Sequence, residues 1–370
     1  MAYRPRDIYK GRRKFRVPLT IFLSLLAFLV VGSVVLFYGL QRFIVYDQTG
    51  VTLQLPFSQT DQPEEVTADT VPTFQPIEVQ VIYEDPDFTQ VDLGGWEDLE
   101  AEQLRFLDYK TVTDSVALAT AITSSAGDYS GVVLEVKSSL GQLAWASGCE
   151  TALAYGTSGS TDLAAAVQSI HDQGLRAVAQ ISCCADRLLA DRNWTVTLQT
   201  ISGTSYRDKE GTAWLDPYNR TVRNYLADLM EELSAIGFDE ILLADLYHPI
   251  SDTGFTYSTS LQTAPNPVTA VCQMGRRLVE NLEGTGTAVS VLVDESSLLN
   301  GAAASTGQDI EIFWRLFARI YCPTNLASAS DNKVLAIESM AQGDADVRFV
   351  PVSSAIPGDF DSYCIRTISD

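Results

Sequence analysis

The stretch G-F-D-E-I-L-L-A-D-L-Y-H-P at Gly237–Pro249 decides the fold. A helical pattern over residues 221–236 precedes it and stops at the glycine, as helices commonly do. The apolar residues that follow, within 239–246, predict a buried strand, and Asp245 stands near its end. A helix that leads into a buried strand with polar groups at its C-terminal end is the repeating unit of a β/α-barrel. This stretch therefore predicts a barrel whose chemistry lies beyond the ends of its strands.

Strand and helix patterns alternate from residue 104 to the end of the chain, which indicates parallel βαβ units. Eight candidate strands over residues 101–370 fit a (β/α)8 TIM-type barrel of the α/β class. An open doubly wound sheet is the alternative, but its usual Gly-rich phosphate loop does not follow the first strand. The strands are expected at residues 104–109, 131–136, 176–182, 239–246, 287–293, 318–321, 348–352 and 363–367, and the main helices at 115–124, 161–173, 221–236 and 268–283.

The N-terminal region predicts a membrane anchor. Val17–Gln41 carries no charge, and as a helix it would span about 37 Å, enough for a hydrocarbon core of roughly 30 Å. Residues 1–16 hold seven Lys and Arg side chains against the single acid Asp7, so the positive-inside rule keeps this tail cytoplasmic. We therefore expect an uncleaved signal anchor at residues 17–41, with the rest of the chain on the extracellular side of the cell membrane. A cleaved signal peptide is the alternative, and its apolar region should be shorter.

The charge distribution limits the partners. From Phe43 to Leu104 there is no Lys or Arg but there are 14 acidic residues, which predicts a solvated acidic stalk over residues 42–100. After residue 42 the chain has 17 basic and 46 acidic side chains, a formal charge of −29. Such a charge disfavours nucleic acid and anionic lipid as partners. The membrane is therefore expected to contact the chain only through the N-terminal helix.

Cofactor and metal chemistry have little support in the sequence. The six cysteines are irregularly spaced without a C-x-x-C pair, and there are only two histidines, so no zinc site is expected. An even number of cysteines in an exported domain permits disulfides, but a domain of this size does not require them. There is no G-x-S-x-G nucleophile motif and no G-x-x-x-x-G-K-[ST] phosphate loop. We therefore predict no cofactor.

Two carboxylates at predicted strand ends could carry out chemistry. Glu135 ends the second strand and Asp245 the fourth. Glycoside hydrolysis needs such a pair, because one group protonates the leaving oxygen and the other attacks or activates water. Side chains near this pair would bind the sugar through polar contacts or aromatic stacking. The predicted substrate-binding residues are Lys137, Gln180, Trp214, Tyr218, Tyr247 and His248.

Each of these features also has a structural interpretation. Glu135 and Lys137 could form an internal ion pair. Residues 216–219 could simply cap the helix that begins near residue 220, as Asp and Asn do. Trp214 could pack a loop, and the acids at 294–295 could be solvated loop charges.

Four motifs resemble a bacterial family of glycoside hydrolase-like proteins, long catalogued as a domain of unknown function and related to the α-amylase-like barrels. The resemblance covers roughly residues 104–325 and implies a (β/α)8 barrel that acts on, or binds, a polysaccharide outside the cell. The motifs are V-V-L-E-V-K-S-S-L-G at Val132–Gly141, Y-R-D-K-E-G-T-A-W-L-D-P-Y-N at Tyr206–Asn219, the opening stretch at Gly237–Pro249, and I-Y-C-P-T at Ile320–Thr324.

The departures from this family fall where its catalysis would reside. Asp245 lies one position beyond the family's strand-four Asp, so its side chain should point to the opposite side unless a bulge restores it. Two hypotheses follow: a hydrolase that uses Asp245 and Glu135, or a non-catalytic glycan-binding or cell-wall scaffold domain on a degenerate barrel. The replaced positions are Ala244 and Tyr247 for the family's Asp and Arg of strand four, Glu135 for an Asp, Ser138–Ser139 for an Asp pair, and Gln180 for an Arg.

Overall fold

The computed structural model describes residues 44–47, 50–53, 99–249, 255, 266–300, 305–324, 331–341, 345–358 and 360–366, together with Leu26 and Leu29. Apart from these two helical leucines, the predicted anchor at 17–41 lies outside the described residues, as does most of the predicted stalk at 42–100. Among the residues that are described, no helix has the length and apolar character needed to cross a membrane.

The chain divides into two units, residues 1–81 and residues 82–370. In the first unit, β1 (Ile44–Asp47) pairs antiparallel with β2 (Gly50–Leu53). Both strands are rich in β-branched and aromatic residues, which favour pleated structure.

Eight parallel strands close into a barrel in the second unit, in the order β10-β3-β4-β5-β6-β7-β8-β9. The pairing of β10 with β3 closes the ring, so the predicted (β/α)8 barrel is confirmed and the open doubly wound sheet is wrong. The strands are β3 (Gln103–Leu107), β4 (Gly131–Lys137), β5 (Arg176–Ser182), β6 (Glu240–Ala244), β7 (Ala288–Leu292), β8 (Ile320–Pro323), β9 (Phe349–Ser353) and β10 (Tyr363–Ile365).

Helices and short helical turns occupy the connections. The longest helix among the described residues, α6 (Arg220–Ile236), begins at the predicted cap, where the Asn219 side chain accepts a hydrogen bond from the Thr221 amide. It ends at Gly237, whose φ of +108° suits glycine and closes the last turn. The helices are α1 (Tyr109–Thr113), α2 (Ser115–Ser125), α3 (Glu150–Tyr155), α4 (Leu163–Asp172), α5 (Arg187–Arg192), α6 (Arg220–Ile236), α7 (Pro267–Asn281), α8 (Glu295–Asn300), α9 (Ile310–Leu316), α10 (Asp331–Ala341) and α11 (Ala345–Arg348).

Apolar side chains fill both sides of the strand ring. Alternate strand residues point outward and pack against the helices, whereas their neighbours form a smaller cluster inside the barrel. The inner cluster consists of Leu104, Phe106, Val133, Val178, Leu242, Tyr321, Val350 and Cys364. The interior is therefore a packed core, and an open site can lie only at an end.

A buried ionic network occupies the end of the barrel where the strands begin. Arg319 is fully buried and donates to Glu240 Oε2 at 2.7 Å, while its guanidinium lies 3.1 Å from Glu102 Oε1. The Tyr321 hydroxyl donates to Glu240 Oε1 at 2.9 Å. These interactions compensate charges that burial would otherwise make costly.

Candidate active site

A cavity of about 790 Å³ opens where β5, β6, β7 and β8 end. This size is typical of small-molecule sites, and the C-terminal face is where TIM barrels carry their chemistry. Its wall combines carboxylates with aromatic rings, a composition suited to a sugar. The lining residues that matter most are Asp208, Glu210, Trp214, Asp245, Tyr247 and Asp294.

One wall of the cavity comes from the long connection between β5 and α6. Antiparallel bridges join Ala185 to Trp214 and Arg207 to Ala213, and they fold this connection back over the barrel. The Trp214 indole N–H donates to Asp208 Oδ2 at 3.0 Å, and the Thr212 amide donates to Asp208 Oδ1 at 2.7 Å. The indole and carboxylate are thus fixed relative to each other at the mouth.

Asp245 immediately follows β6 and lines this cavity. Its φ of +53° lies in the left-handed region, the only such value among the described non-glycine residues. The left-handed backbone ends the extended run, so strand alternation no longer dictates the side chain's direction. Asp245 Oδ2 lies 2.5 Å from the hydroxyl of Ser182, which is the last residue of β5. Burial raises the pKa of the Asp245 carboxyl.

Glu135 lies on β4, two strands away from Asp245. It pairs with Gln180 of β5, which in turn pairs with Leu242 of β6. Glu135 Oε2 accepts a hydrogen bond from the Tyr109 amide at 3.0 Å, and burial raises the pKa of this carboxyl. Glu135 does not line the 790 Å³ cavity, although the charge of Asp245 contributes to its raised pKa. Gln180 is buried beside it.

Lys137 points away from the mouth. The register shifts between Glu135 and Lys137, so Lys137 pairs with Ile181, a member of the outer apolar layer. Its ammonium lies 3.0 Å from Asp186 Oδ2 and donates to the Ser182 carbonyl at 2.6 Å, and both charged side chains are fully buried. The ion pair of Lys137 is therefore with Asp186 rather than Glu135, and Lys137 has no exposed surface for a sugar.

Trp214 and Tyr247 form an aromatic wall within the cavity. Their ring centroids are 4.9 Å apart and their planes are tilted by 56°. Burial and the nearby carboxylates of Asp245, Asp294 and Asp208 raise the pKa of Tyr247, so its hydroxyl stays protonated. A neutral phenol beside an indole offers both a stacking face and a hydrogen-bond donor.

Tyr218 and His248 are not among the residues that line the cavity. The Tyr218 amide donates to Asp216 Oδ1 at 2.8 Å, and Asp216 is fully buried, so this turn organises the start of α6. His248 is buried next to Phe255, with ring centroids 6.2 Å apart, and burial lowers its pKa to about 4. The imidazole is therefore neutral at physiological pH.

Three charged residues near the mouth were not among the predicted site residues, although Asp294 was noted at the end of the fifth strand. Asp208 lies within a motif that was singled out, but nothing in its spacing marks it as part of a cavity wall. Asp294 follows β7, and its Oδ2 accepts from the Ser296 amide at 3.0 Å. Arg366 follows β10, and its guanidinium lies 4.5 Å from the Phe106 ring centroid. Its charge partly offsets the rise in pKa that burial causes at Glu135 and Asp245. The position of Arg366 after the eighth barrel strand is the signal that could have identified it.

The chain belongs to a known family: the profile described as "putative glycosyl hydrolase domain" matches residues 110–319, more than half of its length. Among solved structures, the glycoside hydrolase domain of PgaB (BpsB) from Bordetella bronchiseptica is 11% identical, covering 72% of this chain and 94% of that one, with a TM-score of 0.53. This likeness shows the fold.

Two further structures have TM-scores below 0.5. A hypothetical protein from Ruminiclostridium thermocellum is 20% identical over 50% of this chain and 95% of that one, with a TM-score of 0.46. The maltogenic α-amylase AmyB from Thermotoga neapolitana is 10% identical over 69% and 60%, with a TM-score of 0.43. No curated protein sequence matches the chain.

Proposed function

We propose that the chain is a glycoside hydrolase that acts on a polysaccharide outside the cell and is held at the membrane by residues 17–41. The observation that carries the proposal is Asp245, a carboxyl with a raised pKa in a cavity of about 790 Å³ at the C-terminal face of the barrel. Membership of a family described as a glycosyl hydrolase domain supports the same class of reaction.

Asp245 and Glu135 are the proposed catalytic pair. Only β5 separates their strands, so the two backbones stand about 10 Å apart, and side chains that reach into one mouth can bring the carboxyls closer. A separation of about 5–10 Å would serve either a retaining or an inverting mechanism. The raised pKa of each carboxyl supports a role in proton transfer.

The other predicted binding residues divide by position. Trp214 and Tyr247 would contact the sugar directly, because both line the cavity. Lys137 would act indirectly, because its buried ammonium donates to the carbonyl of Ser182, and the hydroxyl of Ser182 contacts Asp245. Gln180 would position Glu135, its partner in the β4–β5 register. Tyr218 and His248 would support the walls that surround the cavity.

The test is release of reducing ends from cell-wall and exopolysaccharide fractions by the full chain. Asp245→Asn and Glu135→Gln should each lower the rate by at least about 100-fold, because acid–base groups contribute this much or more. Asp172→Asn, an exposed residue at the end of α4, is the matched control and should hydrolyse normally. Undiminished hydrolysis by a folded Asp245→Asn variant would contradict the assignment.

The second candidate is a non-catalytic glycan-binding or cell-wall scaffold domain. It is favoured by Ala244 and Gln180, which replace an acidic and a basic residue of the family pattern, whereas the W-L-D-P-Y-N segment that contains Trp214 is kept. This function predicts saturable binding of wall polysaccharide with no release of reducing ends, and loss of binding in Trp214→Ala. A glycan pull-down that retains no protein would count against it.

The proposed location needs a separate experiment. We expect the full chain to fractionate with membranes and its barrel to be digested by protease added to intact cells whose walls have been removed. Deletion of residues 17–41 should leave the barrel in the cytoplasm. Protection of the barrel from external protease would contradict the extracellular orientation.

A further inference from the structure

The hydroxyl of Ser182 lies between two oxygen atoms at the base of the cavity. Ser182 is buried at the end of β5, and its Oγ is 2.8 Å from the Ala185 carbonyl and 2.5 Å from Asp245 Oδ2. A serine hydroxyl carries a single proton, and a carbonyl oxygen can only accept. Both contacts can be hydrogen bonds only if Asp245 supplies the second proton.

The opposite arrangement has Ser182 donating to an ionised Asp245. The distance of 2.5 Å between Ser182 Oγ and Asp245 Oδ2 is compatible with it, because hydrogen bonds from hydroxyls to carboxylates are about 2.5–2.7 Å long. However, the Ser182 and Ala185 oxygens would then face each other in a buried site with no proton between them, which is unfavourable. The arrangement with a protonated Asp245 satisfies both contacts.

We infer that Asp245 is the proton donor of the proposed catalytic pair, held protonated because Ser182 accepts its proton and commits its own to the Ala185 carbonyl. Ser182 is thus a positioning residue, and Glu135 is the ionised partner. The inference rests on the proposed function for its catalytic meaning, but the protonation itself can be observed without turnover.

The surroundings of Asp245 are consistent with this assignment. Burial raises the pKa of Asp245 even against the lowering effect of a hydrogen bond donated by Ser182 and the charges of Lys137 and Arg366. A neutral Asp245 no longer repels Glu135, which keeps the Tyr109 amide and the Arg366 charge to favour its ionised form. Asp245 interacts electrostatically with titratable and charged groups from four parts of the barrel. They are Glu135 and Lys137 of β4, Cys183, Cys184 and Asp208 after β5, Tyr247 after β6, and Arg366 after β10.

The reaction balances with these roles. As the glycosidic C–O bond breaks, its electron pair goes to the leaving oxygen, which takes the proton of Asp245. The Glu135 carboxylate either bonds to the anomeric carbon or removes a proton from the attacking water. Water supplies the new hydroxyl and the proton that restores Asp245, so no further reactant is needed.

The direction of one pKa change separates the two arrangements. The Asp245 signal is the C=O stretch of a protonated carboxyl in the infrared spectrum of the full chain, identified by its loss in Asp245→Asn. In Ser182→Ala the protonated acid loses its acceptor, so the midpoint of this band should fall by about one pH unit. Ser182→Thr keeps the hydroxyl and should restore the midpoint. If Ser182 instead donates to the carboxylate, Ser182→Ala raises the midpoint and the inference is wrong.

The pH dependence of hydrolysis provides a second readout. Because a general acid must be protonated, the alkaline fall in rate should move to lower pH by the same amount in Ser182→Ala, and return in Ser182→Thr. A thermal melt of each variant confirms that the barrel is folded. If the midpoint falls in Ser182→Ala but neither the unmodified chain nor any variant hydrolyses glycan, the proposed function is refuted and the proton assignment is retained. A raised midpoint in an active enzyme would refute only the assignment.

Discussion

Replacement of Lys137 by methionine should destabilise the barrel strongly. Lys137 and Asp186 are both fully buried, 3.0 Å apart, and the ammonium also donates to the Ser182 carbonyl at 2.6 Å. Methionine fills a similar volume but leaves the Asp186 carboxylate buried without its cation. Breaking a buried pair in this way costs about 3–5 kcal/mol. For a domain of this size each kcal/mol corresponds to about 2–4 °C, so the melting temperature should fall by about 6–20 °C.

Thermal and urea unfolding of four proteins tests this magnitude. Lys137→Met and Asp186→Asn should each lose stability, whereas the double variant Lys137→Met/Asp186→Asn should lose less than the two single changes combined. The matched control is Arg276→Met, which breaks an exposed pair with Glu280 at 2.7 Å and should cost less than about 1 kcal/mol. If Lys137→Met is no more destabilising than Arg276→Met, the buried pair does not hold the base of the cavity.

Three further changes test other parts of the structure. Burial raises the pKa of Glu102 from its ordinary value of 4.5 to about 7, so between these pH values the folded state retains a proton that the unfolded state releases. The free energy of unfolding should therefore fall as pH rises from 4.5 to 7. Glu102→Gln should make this pH dependence weaker. Gly141→Ala should destabilise the barrel in urea unfolding far more than Gly203→Ala, because both glycines have positive φ but only at Gly141 would the new Cβ meet Asp186, 1.9 Å from Oδ1. Trp214→Phe keeps a ring but loses the indole hydrogen bond and part of a buried side chain, so we expect weaker glycan binding by calorimetry together with a lower melting temperature.

Much of the fold could be predicted because its signals are local. Strand β5 was predicted with both ends correct, since its mostly apolar residues, Ala177–Ile181, follow the helix stop at Gly174 and lie between the polar Arg176 and Ser182. Helix α6 was placed within one residue, because an Asn cap and a Gly stop bracket its amphipathic pattern. The count of eight candidate strands then predicted that the sheet closes into a barrel, although no local signal encodes the pairing of β10 with β3.

The site could be predicted only in part, because its geometry depends on irregular backbone. Two-residue alternation puts Glu135 and Lys137 on the same side, yet the register shift turns Lys137 outward to Asp186. Asp208 reaches the mouth because the β5–α6 connection folds back through bridges between residues distant in sequence. A pattern of residue types carries no information about either effect.

Asp245 bears most directly on the choice between hydrolase and binding domain. Its one-position offset from the family pattern predicted a side chain on the wrong side of the strand, but the left-handed backbone instead leaves it on the cavity wall. A left-handed conformation costs an L-residue about 1–2 kcal/mol, and burial of the carboxyl adds to that cost. The Cys184 amide donates to the Asp245 carbonyl at 3.1 Å and Ser182 contacts its side chain, so the surroundings hold this unfavourable geometry. A domain that only bound glycan would gain stability from glycine here, and the strained, half-buried acid on the cavity wall therefore supports the proposed catalytic role.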